Sequence, residues 1–131
     1  FSLINIKQSV LYAIFVALGF SFCENLLYFN KLFQLHGFSK DLVAVYFSRN
    51  IFSVVLHVLC SSVLAYYFSL VYLEFKTKLT LKFLKILFIG FIFSILLHSF
   101  FDIFLTFNLT FFIFIYLFGA YFYLTYIFYK D

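Results

Sequence analysis

The stretch from Ser9 to Phe29, SVLYAIFVALGFSFCENLLYF, spans 21 residues and carries a single charged side chain, Glu24. About 20 apolar residues suffice for a helix to cross the hydrocarbon core of a bilayer. β-branched and aromatic residues are common in this stretch, which in water would favour a strand. In lipid the length and continuity of the run decide for helix, because every backbone group must be satisfied within its own segment. Three further runs follow, from about Leu42 to Leu70, Phe83 to Thr106 and Phe111 to Tyr129. The second is longer than one crossing requires, so it tilts or extends past the membrane. The expected fold is therefore all-α: a polytopic transmembrane helical bundle of about four spans, with residues 1–131 forming one transmembrane domain.

Composition points the same way. Hydrophobic residues make up 66% of the chain and charged residues 11%, too few to cover the surface of a water-soluble domain. The formal charge of +4 does not indicate nucleic acid, because the basic residues cluster between the apolar runs, as membrane topology requires. The expected surroundings are a lipid bilayer and no nucleic acid. Cys23 and Cys60 both fall inside apolar runs with no metal-type or disulfide-framework spacing, and read as small packing residues. Methionine is absent and the chain begins at Phe1, which points to sequence lost upstream or to a removed secretory signal.

The connections are short. Asn30 to Asp41 holds a glycine and mixed charge, Glu74 to Lys82 is basic, and Phe107 to Thr110 is a tight turn. Its NLT triplet fits a glycosylation sequon but reads as a chance match beside a membrane. His36, Asp41 and Glu74 read as solvated loop residues. Lys7, Lys76, Lys78, Lys82, Lys85 and Lys130 fall on one side of the expected topology, and Lys31 and Lys40 on the other. The excess of lysine places both chain ends and the basic loop in the cytoplasm, with the first and third connections outside.

The ionisable groups inside the runs are Glu24, Arg49, His57, His98 and Asp102. A charge at mid-bilayer costs roughly 2.5–3.5 kcal/mol even on lenient insertion scales, so each needs a partner or a wet cavity. Glu24 lies about five residues from the outer end of its run, Arg49 about seven, and His98 and Asp102 about eight and four. His57 lies nearer the middle. At about 1.5 Å per residue most of these groups share one outer half-layer. His98 and Asp102 are spaced i and i+4 and share a helix face, and Arg49, Ser53 and His57 form a polar row at the same spacing. Glu24 and Asn25 are neighbours about 100° apart, so one can face a cavity while the other bonds to a neighbouring span.

Singly, each has an ordinary explanation: a snorkelling arginine, an interhelical polar staple, an ion pair between Glu24 and Arg49, a satisfied neutral histidine. Their coincidence in depth and face favours a functional site. A carboxylate can take a proton from water, histidines can bind a metal or steady an oxyanion, and an arginine can hold a carbonyl or orient a carboxylate. The same groups can relay protons in a transporter, and spacing alone does not choose. HExxH, a glycine-rich phosphate loop and a nucleophile elbow are all absent from the sequence.

The segment LGFSFCENLLYF, Leu18 to Phe29, resembles the second motif of the PrsW family of intramembrane proteases, roughly G-x-G-F-A-x-x-E-N-x-x-Y, through Gly19, Phe20, Glu24, Asn25 and Tyr28. Arg49 and His57 resemble that family's R…H motif, and HSFFD resembles its H-x-x-x-[ND] motif through His98 and Asp102. Ala17 stands where the pattern has its first glycine and Ser21 where it has alanine. The family's first motif, E-E-x-x-K, lies farther upstream than Phe1 allows, as expected for a chain lacking an upstream span.

The resemblance implies a hydrolase of a bacterial plasma membrane that cuts a membrane-embedded protein substrate with activated water, some members cutting anti-sigma factors. It implies catalytic roles for Glu24, Asn25, Arg49, His57, His98 and Asp102, and makes His57 and His98 candidate ligands for a divalent metal such as zinc. It also implies that a glutamate of the upstream motif activates the water, with Glu24 and Asn25 in support. A non-enzymatic binding or scaffold relative and a small proton-coupled transporter are the alternatives.

Overall fold

The structure, a computed structural model, describes residues 5–75, 80–107 and 109–130, with side chains 74, 75, 110, 127, 128 and 130 left aside. Four helices follow one another: α1 (Ile6–His36), α2 (Lys40–Phe75), α3 (Leu81–Thr106) and α4 (Thr110–Lys130). Each expected apolar run lies inside one of them. Lys76, Lys78 and the sequon asparagine fall outside the described residues.

α1 begins at a reciprocal cap. Asn5 Oδ1 accepts from the Lys7 backbone N–H at 3.2 Å, and Gln8 Oε1 accepts from the Asn5 N–H at 3.3 Å. Two backbone donors that the helix cannot use are thereby satisfied. At its other end α1 continues seven residues past Phe29, to His36. The expected loop from Asn30 to Asp41 is therefore mostly helix. Asn30 to His36 contains no helix breaker, and the stop comes only at Gly37, whose φ of 67° is open to glycine and strained for other residues. Three residues, Gly37 to Ser39, then turn the chain back into α2.

His36 is consequently the last residue of α1, Asp41 sits in the first turn of α2, and Glu74 lies near the α2 end, where loops were expected. Asp41, an anion in the first turn of α2, suits the dipole of that helix. His36 and Asp41 are both exposed, as expected of them.

α2 is the central helix. At 36 residues it is about 54 Å long, well beyond a hydrocarbon core of about 30 Å. It packs against α1, α3 and α4, while among the described residues α1 approaches neither α3 nor α4 along the backbone. The core between α2, α3 and α4 is built from Leu56, Leu59, Phe101, Ile113 and Leu117. α1 meets α2 through small or polar residues: Ala17, Ser21 and Asn25 are all buried. Small residues let two backbones approach closely, which is how helices associate in lipid.

The outer surface is apolar. Phe15, Leu27, Phe88, Phe118 and Phe122 are all exposed, while Ser53, His57, Ser62 and Ser69 are buried. Polar groups inside and phenylalanines outside suit a lipid solvent. α1, α2 and α3 are long and apolar enough to cross a membrane, and α4 carries a shorter apolar stretch, Phe111–Tyr126. The chain is an integral membrane protein with a helical bundle fold.

Candidate active site

α1 and α2 run antiparallel from the Gly37 turn, so Glu24 on the way up meets the row Arg49, Ser53, His57 on the way down. Glu24 Oε2 lies 2.7 Å from His57 Nε2, and Glu24 Oε1 lies 3.7 Å from Arg49 Nη2. The Arg49 guanidinium also sits 4.0 Å over the Tyr28 ring. Glu24 and Tyr28 are one turn apart on α1, so the arginine is held by a charge and by an aromatic face of the same helix.

α3 contributes the second half. His98 Nδ1 lies 2.9 Å from Asp102 Oδ2 within that helix. The His57 and His98 rings are 5.3 Å apart between centroids, and the Phe20 ring meets His57 edge-on at 5.2 Å. Two imidazole–carboxylate pairs thus face one another, Glu24–His57 across α1 and α2 and His98–Asp102 on α3. A cavity of about 210 Å³ opens beside them, lined by Glu24, Arg49, Ser53, His98 and Asp102 together with Leu56 and Phe101. His57 is buried behind this lining, while the side chains of His98 and Asp102 remain 41% and 59% exposed.

Glu24, Arg49, His57, His98 and Asp102 are therefore brought together. Asn25 is not at the cavity. Its amide Nδ2 donates to Asn50 Oδ1 at 3.2 Å and reaches Ser21 Oγ at 3.5 Å, both away from the opening. Asn25 Oδ1 and Arg49 Nε are buried and lack a hydrogen-bond partner among the described residues.

Three residues that the sequence did not single out support the site. Asn50 receives the Asn25 amide. Tyr116 of α4 donates to the Leu97 carbonyl at 2.7 Å, beside His98. Ser94 donates to the Cys60 carbonyl at 3.2 Å and ties α3 to α2. An asparagine inside an apolar run is a visible signal, but uncharged amides were not counted among the costly groups. The Tyr116 contact joins residues 19 apart in sequence on different helices, and no local pattern announces it.

The donor set contains imidazoles and carboxylates, ligand types that suit zinc. Their arrangement does not fit a metal. Among the described residues no three His, Cys, Asp or Glu side chains converge as ligands. One ring nitrogen of each histidine bonds a carboxylate, an arrangement that metal-binding imidazoles share.

A polytopic helical bundle with imidazoles and carboxylates gathered around a cavity between its spans belongs to the class of membrane proteins that carry ionisable functional sites in the bilayer. Residues 4–129 match the family described as PrsW family intramembrane metalloprotease, and the chain belongs to that family. The searches of curated proteins and of solved structures returned no match.

Proposed function

We propose that this chain is an intramembrane peptidase that hydrolyses a peptide bond of a membrane-embedded protein with activated water. The observation that carries the proposal is the meeting of the two imidazole–carboxylate pairs beside one cavity, with ring centroids 5.3 Å apart. Peptide hydrolysis needs a group that removes a proton from water and one that returns a proton to the leaving amine.

Glu24 lines the cavity and can take the water's proton, the role that the resemblance gives to a glutamate of the upstream motif, with His57 behind it to share that proton. His98, oriented by Asp102, faces the same cavity and can protonate the amine. The Arg49 guanidinium is the cation available to a developing oxyanion. Asn25 acts from behind, through the seat it gives α1. Among the described residues the side chains form no three-ligand set for a metal.

A purely structural role fits less well. A staple bonds between helices, whereas the His98–Asp102 pair closes on its own helix and stays largely exposed. The lysine distribution supports a cavity in the outer half of the membrane with both chain ends cytoplasmic, and the family resemblance implies that the membrane is a bacterial plasma membrane.

The test uses the protein in lipid nanodiscs against a panel of single-span membrane proteins, an anti-sigma factor among them, with metal content measured on every sample. Wild type is expected to cleave at least one substrate, and His57→Ala and His98→Ala are expected to abolish cleavage while remaining folded. Retained cleavage in both variants contradicts the assigned site. Loss of stoichiometric metal in His98→Ala would overturn the metal-free reading of these residues.

A further inference from the structure

Two consecutive residues on α1, Glu24 and Asn25, lie against two consecutive residues on α2, Arg49 and Asn50. The charged members form one link, between Glu24 and Arg49, and the amides form a second, between Asn25 and Asn50. The amide link has a fixed polarity. Asn50 Nδ2 is spent on the Tyr46 carbonyl of its own helix at 2.8 Å, so the end it offers α1 is the Oδ1 acceptor. Asn25 must then present its Nδ2, which leaves Asn25 Oδ1 buried without a partner. Asn25 is 1% exposed and its neighbour Ser21 is 0% exposed, so water offers the Asn25 amide no substitute partner.

We propose that Asn50 is a positioning residue, whose amide sets the rotation and height of α1 against α2 and thereby holds Glu24 within bonding reach of His57. One residue of slip turns a helix by about 100° and moves it by about 1.5 Å, either of which breaks a 2.7 Å contact. Apart from the Glu24–His57 contact that is to be held, the other polar links between α1 and α2 specify register less tightly. The Glu24–Arg49 contact is 3.7 Å, and the stacking of Arg49 on Tyr28 tolerates sliding. The hydrogen bond between the two amides is directional and buried on its Asn25 side, and its acceptor is fixed by the α2 backbone. The importance given to the Glu24–His57 pair rests on the function proposed above, but the geometric claim is testable without activity.

The experiment observes the imidazole ring N–H protons of ¹⁵N-histidine-labelled protein in lipid nanodiscs, with signals assigned by their loss in His57→Ala and His98→Ala. Wild type is expected to show a slowly exchanging downfield ring proton for His57. Asn50→Ala is expected to lose it, or to raise its exchange rate at least tenfold. Asn50→Asp keeps an acceptor for Asn25 Nδ2 but loses the donor to the Tyr46 carbonyl, so its His57 proton is expected to exchange at a rate between those of wild type and Asn50→Ala. The His98 proton, held within α3 by Asp102, is expected to be unchanged in both.

Should Asn50→Ala not fold, Asn50→Leu, which fills a similar volume without an acceptor, is read in its place. An unchanged His57 proton in the folded variant overturns the proposal, as does simultaneous loss of the His57 and His98 protons, which signals general loosening. Absence of the His57 proton from wild type overturns it as well. Cleavage is not read, so a failure to find peptidase activity leaves this result standing. Cleavage alongside an unchanged His57 proton in Asn50→Ala would uphold the function and reject the clamp.

Discussion

The bundle is built differently around His57 and around Tyr67, two to three turns farther along α2. Around His57 the helices spend their contacts on polar groups: Ser21, Asn25, Ser53 and His57 are buried there, and Glu24, Arg49, His98 and Asp102 line or adjoin a cavity. Around Tyr67 they spend them on rings and close approach. Tyr67 stacks with Phe93, which stacks with Tyr123, and the two tyrosine hydroxyls meet at 3.1 Å. Gly90 of α3 lies so close that an added Cβ would stand 2.5 Å from the Tyr67 Cβ. One region encloses a small polar cavity of about 210 Å³; the other packs its rings between α2, α3 and α4 and leaves a larger, open apolar groove beside them, lined by Ala65, Phe68 and Phe91 among others. A site needs room for substrate and groups left free to react, and the aromatic region supplies the rigidity that the polar region gives up.

The comparison can be broken by variants that act on one region only. The largest effect is expected at Asp102→Ala. The carboxylate side chain is 59% exposed, so stability should hardly move, while loss of the acceptor that orients His98 should lower cleavage by about 10²-fold, within the range of acid–base contributions. Turnover and thermal unfolding measured on one preparation check both halves of that statement. Next comes Gly90→Leu, whose Cβ meets the fixed Cβ of Tyr67 and not the end of a flexible chain. Overpacking of this kind should cost about 1–3 kcal/mol of stability, seen as a lowered unfolding midpoint, with turnover per folded molecule preserved. The smallest is Tyr123→Phe, which removes one hydrogen bond and keeps the stack. About 0.5–1.5 kcal/mol is expected from unfolding, with cleavage unchanged. A Gly90 or Tyr123 variant that abolished cleavage while folded would join the two regions and dissolve the distinction.

The four helices were legible because a bilayer makes a simple demand: a run such as Ser9 to Phe29 must be helical to survive there. The end of α1 was not. Lys31, Gln34 and His36 look like a loop to a reader counting polarity, whereas the backbone sees helix-compatible residues until Gly37. The ionisable residues of the site could be listed from sequence, because a charge in an apolar run stands out. Which of them touch could not. Pairing Glu24 with His57 spans 33 residues and depends on the angle at which α1 meets α2. That angle is set partly by the amides of Asn25 and Asn50, whose bond appears only when two helices are laid together.

The measurement that tests the central claim most directly is cleavage by Glu24→Gln, with thermal unfolding followed on the same nanodisc preparation. Glutamine keeps the size and hydrogen-bonding capacity of the side chain and removes the carboxylate that lines the cavity beside His57. The account predicts that cleavage falls by at least about 10²-fold while the unfolding midpoint stays within a few degrees of wild type. Cleavage at the wild-type rate in a folded Glu24→Gln protein would contradict it and would assign water activation to a group other than Glu24.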